Sequence, residues 1–224
     1  MNNKLIPLFP LQSIVLPGGI FPLRIFERRY IDMIKNCIKD DIGFCIVLVR
    51  NNTHDKYIDD IYNYGCYVKI IDWDQLEDGL LGISVEGQYK IHVLNSELNQ
   101  NNLLCGNIEK CTEEKEYMIP QKYLLLSKFY RKIYPGIKNF ISFKSERYSD
   151  ASWVGYRLTE CLPLDSRTKN ILIAQNYLQK ILPHYLPILI NRTPNIICFN
   201  PTFKIFSFYF TPFLFTFLNY KHSS

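Results

Sequence analysis

Residues 5–30 read LIPLFPLQSIVLPGGIFPLRIFERRY, and this stretch decides the fold. No charged residue occurs between Leu5 and Leu23. Proline fixes φ and lacks a backbone donor, so the prolines in this stretch exclude one long helix or one central strand. A segment that is this apolar and is broken into short pieces is expected to lie at the centre of a β-rich domain.

The pieces between the prolines predict the first elements. We expect strands at Ile6–Phe9 and Ser13–Leu16, a tight turn at Pro17-Gly18-Gly19, and an extended segment at Phe21–Ile25. From Glu27 to Lys39, apolar residues recur at helical spacing and predict one amphipathic helix.

The pattern of strands continues to about residue 111. It predicts a buried strand, a longer strand, a hairpin turning at Glu86-Gly87, a polar connection and a final strand. The buried strand is Phe44–Val49, and the longer strand is Ile61–Ile71. The two strands of the hairpin are Leu80–Val85 and Gln88–Leu94. The polar connection is Asn95–Asn102, and the final strand is Leu104–Cys111. Residues 72–79 are expected to form a turn region. Residues 1–115 are therefore predicted to form a mostly antiparallel β domain with one early helix.

Helical patterns replace the strands after residue 116. Pro120–Tyr134 predicts a helix that Pro135-Gly136 ends, Ser149-Asp150 is expected to cap a second helix containing Trp153, and Asp165-Ser166 a third running to Ile181. The predicted fold class is α+β, with a helical bundle over residues 116–185. Residues 186–224 are an atypical aromatic-rich tail. It is predicted to lie outside the domain, with contact to a membrane surface as the alternative.

Several segments together resemble the N-terminal substrate-binding domain of the ATP-dependent Lon proteases. The opening strings PLFPL, VLPGG and FPLRIFERRY carry most of the resemblance, which extends over roughly residues 5–185. One departure is Arg28, which stands where the family usually has proline and is expected to change the start of the helix. The weaker supporting pieces are Gly43–Val49, Tyr64–Ile71, Asp78-Gly79, Val85–Gly87, Trp153 and Arg157–Leu164.

The resemblance implies a fold and a role. The β domain is expected to be a PUA-like barrel, in a standalone bacterial member of the family that lacks the ATPase and protease domains. It implies a non-catalytic module that binds unfolded or degron-bearing polypeptides in protein quality control or regulated proteolysis, with a protease or chaperone as a possible partner. The alternative is a PUA-like protein that binds a small ligand or RNA.

Composition and motifs limit the functional classes to which this protein can belong. The net charge of +5 is mild and the basic residues are spread along the chain, which disfavours nucleic-acid binding. The 7 cysteines show no CxxC pair or zinc spacing, so reduced thiols in a cytoplasmic protein are expected. The chain contains no GxxxxGK[ST] phosphate loop and no HExxH or GxSxG motif, so no enzyme activity, metal or cofactor is predicted.

Candidate binding residues come from the opening stretch. An exposed apolar groove, or a sheet edge that accepts an extended segment, is the physical basis for binding polypeptide. Each apolar candidate has an alternative interpretation as a core residue, and Arg29 has one as the partner of a carboxylate. The predicted residues are Ile14, Leu16, Phe21, Leu23, Phe26, Arg29 and Tyr30. Asp72, Asp74, Glu77 and Asp78 are interpreted as a solvated acidic loop rather than a cation site.

Overall fold

The computed structural model describes residues 5–50, 60–175 and Tyr185. The chain divides into two compact units, Met1–Pro183 and His184–Ser224. Only Tyr185 is described in the second unit. The predicted tail and the predicted helical residues 176–181 therefore lie outside the described residues, as do residues 51–59.

Seven strands form one mixed sheet in the described part of the chain. The order is β4-β3-β1-β6-β5-β2-β7, and a further pairing of β4 with β5 closes five of the strands into a ring. β1 and β3 are parallel, and every other pair is antiparallel. The strands are β1 (Ile6–Leu11), β2 (Gly19–Ile25), β3 (Phe44–Val49), β4 (Ile61–Gln75), β5 (Leu81–Leu98), β6 (Leu104–Lys110) and β7 (Ser142–Phe143).

The described helices are few and short. The predicted early helix is confirmed as α1 (Arg28–Lys39). Arg28 is its first residue, a position that also accepts proline because its N–H has no acceptor within the helix; whether Arg28 shifts the helix start stays a prediction. A 3-10 turn at Gln121–Tyr123 leads into α2 (Leu124–Ile137), followed by α3 (Ala151–Cys161) and α4 (Ser166–Ala174).

One buried cluster fills the barrel. It takes one side chain or more from each of five strands, because alternate residues of a strand point to the same face. Its members are Leu8, Cys45, Val47, Ile61, Ile91, Val93 and Leu104. Outside the barrel, α1 packs through Tyr30, whose ring centroid lies 4.3 Å from that of Phe9. The apolar opening stretch is thus at the centre of the β domain, as predicted.

The strand predicted at Ser13–Leu16 is wrong. These residues have no regular secondary structure, although Ile14, Val15 and Leu16 are buried. The Leu16 N–H donates to Glu160 Oε1 at 2.7 Å rather than to a strand carbonyl. Arg157 Nη2 donates to the carbonyl oxygens of Leu16 and Pro17 at 3.2 and 3.1 Å. Side chains from α3 therefore take the place of a neighbouring strand, which the apolar pattern alone does not reveal.

The hairpin predicted at Glu86-Gly87 is also wrong, because β5 runs through both residues. The glycines with positive φ are instead Gly18 and Gly79, and Gly79 forms the turn between β4 and β5. Gly87 is required by a close approach, because a Cβ at this position would lie 2.7 Å from the carbonyl carbon of Leu16. The Gly87 carbonyl also accepts from the Gly18 N–H at 2.9 Å. β5 then continues to Leu98, so that the predicted polar connection at 95–102 shortens to a turn at Asn99–Asn102.

The described helices do not support the predicted helical bundle. α2 and α3 pack together, with the Tyr130 and Trp153 rings edge-to-face at 5.7 Å. α3 also reaches the turn at Leu16-Pro17, and α4 packs on β4, where Asn170 Oδ1 accepts from the Tyr64 N–H. Pro135 does not end α2, which continues to Ile137. The three helices thus have different neighbours and do not form one bundle, since α2 contacts α3 whereas α4 contacts β4.

Candidate functional site

The outer half of β4 is an open sheet edge. β3 pairs with β4 only between Ile61 and Val68, whereas β5 pairs with it as far as Gln75. Within the described residues, Lys69–Gln75 therefore have a strand partner on one side only. An edge of this kind presents backbone donors and acceptors to which an incoming extended chain can bind.

Two aspartate side chains accept hydrogen bonds from backbone N–H groups along this edge. The Trp73 N–H donates to Asp72 Oδ1 at 2.9 Å, and the Gln75 N–H donates to Asp74 Oδ1 at 2.7 Å. In both cases a carboxylate of the preceding residue satisfies the N–H. Such local side-chain bonds compete with strand pairing. A carbonyl of an added strand can replace them, because both aspartates are exposed.

A groove lies between this edge and the end of α1. Its volume is about 320 Å³ and it opens to solvent. Three of its apolar side chains are unusually exposed: Ile38 at 40%, Ile71 at 41% and Trp73 at 59%. Lys69 pairs with Asp41 at 3.4 Å on the rim. The full lining is Cys37, Ile38, Asp41, Ile42, Lys69, Ile70, Ile71, Asp72 and Trp73.

Exposed aliphatic and aromatic side chains next to free strand edge suit an apolar segment in extended conformation. The groove offers side-chain pockets and the edge offers backbone hydrogen bonds, which together are the elements of strand addition. With two aspartates and one lysine in its lining, and Asp74 beside it, the groove favours a segment that carries positive charge.

The residues predicted from the opening stretch lie elsewhere. Ile14, Leu16, Phe21, Leu23 and Tyr30 are buried, each with 7% exposure or less, so in this conformation they contribute to the core. Phe26 is the exposed apolar member, at 53%. The structure does not bring these residues together as one surface, and their role in binding stays a prediction.

Arg29 matches its alternative interpretation as a paired charge. Its Nη2 lies 2.7 Å from Glu27 Oε2, and its Nη1 donates to the Asn102 carbonyl at 2.9 Å. The guanidinium also lies over the Tyr30 ring, 4.8 Å from its centroid. These contacts fix the start of α1 against the turn between β5 and β6, and they leave the side chain only 19% exposed.

The sequence carries a signal for the groove at the start of the predicted turn region. Ile71, Asp72, Trp73 and Asp74 alternate between apolar and acidic, the period of a strand with one polar face. The predicted turn region from Asp72 to Gly79 cut this pattern in two. In the structure β4 continues to Gln75, and the turn begins only at Leu76.

A buried ion pair supports the turn that precedes β2. Arg157 Nη2 lies 2.9 Å from Glu160 Oε1, and both side chains are at most 1% exposed. Burial raises the pKa of Glu160 to about 7, although the Arg157 guanidinium and the Leu16 N–H both favour the carboxylate. The pair contributes to structure, because it binds the backbone of Leu16 and Pro17 at the turn.

The described residues contain few groups that could bind a metal or carry out catalysis. They contain no cluster of three or more side chains suited to a metal. The residues of the predicted acidic loop do not face one common site. Asp72 and Asp74 lie in β4 and accept from its backbone N–H groups, whereas Asp78 pairs with Arg24. Trp153 is buried among Tyr130, Phe143 and Tyr148. Among the described helices, none is long and apolar enough to cross a membrane.

Comparisons with known proteins agree with the fold. A Lon protease of Bacillus thuringiensis (strain Al Hakam) is 28% identical over 126 residues, which are 55% of this chain and 16% of that protein. Lon protease 1 of Hydrogenovibrio crunogenus is 27% identical over 106 residues, 46% of this chain and 13% of that protein. The chain thus spans less than a fifth of the length of these relatives.

Solved structures extend the likeness over most of the chain. The crystal structure of a Lon N-terminal domain protein from Xanthomonas campestris has a TM-score of 0.66 and 28% identity, covering 82% of this chain and 97% of that one. The N-terminal domain of the Mycobacterium avium complex Lon protease shares the fold, with a TM-score of 0.54, 16% identity, and coverage of 86% of this chain and 99% of that one.

The family match spans nearly the whole described chain. The family described as the ATP-dependent protease La (Lon) substrate-binding domain matches residues 5–187. The match includes the barrel, the groove beside β4 and α2 to α4. We conclude that the chain belongs to the Lon substrate-binding domain family.

Proposed function

We propose that this protein binds extended polypeptide segments and catalyses no reaction on them. The observation that carries the proposal is the open edge of β4 beside the exposed side chains of Ile38, Ile71 and Trp73. Membership in a substrate-binding domain family supports the same role. The occupant is an unfolded or degron-bearing segment, because a folded partner keeps its backbone groups paired.

Binding proceeds by strand addition. Carbonyl groups of the incoming segment accept from the Trp73 and Gln75 N–H groups, which now donate to Asp72 and Asp74. Alternate apolar side chains of the segment pack on Ile71 and Trp73. The released aspartates then face basic side chains of the segment, so the preferred ligand alternates β-branched residues with lysine or arginine.

The proposed role is in protein quality control or regulated proteolysis, and membership in a substrate-binding domain family supports it. A module that captures unfolded segments in the cytoplasm has use where the segment passes to a protease or a chaperone, so such proteins are its proposed partners. The ring of strands is the proposed PUA-like barrel, which serves as a scaffold for the edge.

The decisive experiment measures the anisotropy of a dye-labelled peptide that alternates valine and lysine. We expect the full chain to bind this peptide and to bind a valine–glutamate peptide more weakly. Trp73→Ala should weaken binding about tenfold, because it removes an exposed aromatic anchor. Gln75→Pro should weaken binding because it removes an edge donor, while an edge strand tolerates the proline. Leu94→Ala is the matched control, since Leu94 is exposed at 57% on β5.

A second part of the experiment tests whether binding depends on hydrogen bonds of the peptide backbone. A peptide N-methylated on alternate residues keeps its side chains but loses strand hydrogen bonds, so it should not bind. Equal binding of the N-methylated peptide would overturn strand addition. Unchanged affinity in both Trp73→Ala and Gln75→Pro would show that the groove beside β4 is not the site.

A further inference from the structure

The segment around α2 has an unusual separation of charge. From Tyr117 to Ser145 the sequence contains no aspartate or glutamate. The same segment carries a series of basic residues: Lys122, Lys128, Arg131, Lys132, Lys138 and Lys144. In the sequence these residues alternate with apolar ones, and only the helix shows where they lie.

The helix places its basic residues on one face. Residues three and four apart are neighbours on a helix, so Lys128, Arg131 and Lys132 lie side by side, and all three are exposed. The opposite face is buried against the domain through Leu126, Ser127, Tyr130, Ile133 and Ile137. The basic row starts in the second turn of α2 and extends about 15 Å, at about 1.5 Å per residue, to Lys138 just beyond the helix.

Two leucines begin this exposed face. Leu124 lies one turn before Lys128 and is 39% exposed, and Leu125 lies beside it and is 56% exposed. Leucines of a helix that packs against a domain are usually buried, as the neighbouring Leu126 is, with 0% exposure. The surface therefore joins an apolar end to a cationic row.

Acidic partners lie only beside this face. None of the ion pairs between described residues includes Lys128, Arg131, Lys132 or Lys138. Arg131 instead lies over the Tyr148 ring, 4.3 Å from its centroid. Nearby, Glu116 pairs with Arg147 and Glu86 with Lys144. Burial, together with the exposed Glu146, raises the pKa of Tyr134 and Tyr148. Among the described residues, no carboxylate forms an ion pair with the basic row on α2.

We propose that this face of α2 docks on an anionic phospholipid surface. Lysine and arginine attract anionic headgroups, and adjoining leucines enter the boundary between headgroups and acyl chains. A nucleic acid matches the charge but leaves Leu124 and Leu125 in water, because phosphates offer them no apolar contact. The proposal concerns a different element from the groove beside β4 and does not rest on it.

The test is co-sedimentation of the full chain with vesicles of phosphatidylcholine and phosphatidylglycerol, and with vesicles of phosphatidylcholine alone. We expect binding to the anionic vesicles only, and weaker binding as salt is raised. Lys128→Glu with Lys132→Glu should lower partitioning about tenfold or more. Leu124→Ser with Leu125→Ser should lower it on the same vesicles.

The matched control is Lys35→Glu with Lys39→Glu, which changes the net charge equally on the exposed side of α1. We expect this control to bind like the wild type, and circular dichroism checks that every variant is folded. Equal loss in the control, equal binding to neutral vesicles, or wild-type binding by the Lys128/Lys132 variant would overturn the proposal. So would binding to a duplex oligonucleotide that depends on Lys128 but not on the leucines, without vesicle binding.

Discussion

Glu160 is the residue on which the apolar opening stretch depends for its backbone partners. The Leu16 N–H donates to its carboxylate at 2.7 Å, and Arg157 links the same carboxylate to the carbonyls of Leu16 and Pro17. A buried charge without such partners is costly. The sequence identified the Arg157–Leu164 segment only by resemblance. It offered no means to pair two residues of α3 with a turn some 140 positions earlier.

Glu160 should make the stability of the fold depend on pH. Burial raises its pKa from 4.5 to about 7 in the folded state. The folded protein then binds more protons than the unfolded chain between these values. The resulting stabilisation is fully present below pH 4.5 and is lost as the pH rises through about 7. The loss is on the order of 3 kcal/mol.

Denaturant unfolding of the wild type and of Glu160→Gln measures this effect. The difference in free energy of unfolding should move against the wild type as pH rises across the window. Glu113→Gln is the control, because Lys110 lowers the pKa of that exposed carboxyl and places its titration below the window. Parallel curves for wild type and Glu160→Gln would mean that Arg157 keeps Glu160 ionised throughout.

Among the elements, β5 differs most from its predicted form. Glycine flanked by β-rich segments predicted a hairpin, but Gly87 lies inside a strand of 18 residues. A Cβ there would lie 2.7 Å from the Leu16 carbonyl carbon and closer still to its oxygen. A glycine in a strand can mark either a turn or a close backbone approach. Local sequence cannot distinguish the two, because the approaching chain lies elsewhere in the sequence.

Gly87→Ala tests this explanation. The methyl group meets backbone rather than a flexible side chain, so we expect a loss of about 3 kcal/mol in the free energy of unfolding. Gly18→Ala is the comparison, because Gly18 has φ of +77° and no atom within 4 Å of its Cβ position. It should cost about 1 kcal/mol through backbone conformation alone. Equal effects would contradict the role assigned to the contact with Leu16.

For the whole molecule, Lys90 joins parts that are distant in sequence. Its Nζ pairs with Glu114 and donates to the carbonyls of Ile173 and Gln175, both at 3.2 Å. The side chain is 2% exposed. One ammonium thus links β5, the segment after β6 and the carboxyl end of α4, where a positive charge also complements the helix dipole.

Lys90→Met should release α4 from the barrel. It removes the cation and leaves Glu114 buried without its partner, for which we expect a loss of about 3 kcal/mol. Hydrogen exchange should show faster exchange in Ser166–Ala174 than in β1 or β3. Lys110→Met is the control, because its pair with Glu113 is exposed at 51% and 75%. Uniform acceleration across the chain would show that Lys90 stabilises no particular element.

The β domain and its early helix follow from local patterns in the sequence, whereas the family is indicated by the resemblance of the opening strings. Prolines, glycines and alternating apolar residues act within a few positions, and the bounds of α1 and β3 show how well they do so. The arrangement of α2 to α4 and the groove beside β4 depend on contacts across the chain. The sequence does not predict that Ile71 and Trp73 are exposed, because their exposure is a property of the folded sheet.

The aspartates on the edge of β4 also affect how two molecules of this protein meet. If two copies paired through this edge, Asp72 and Asp74 of each would be brought close to those of the other. Like charges at such distances repel, so a second copy is a poor occupant of the edge. Under the proposed strand addition, the aspartates that favour a basic segment should therefore also disfavour edge-to-edge assembly in concentrated protein.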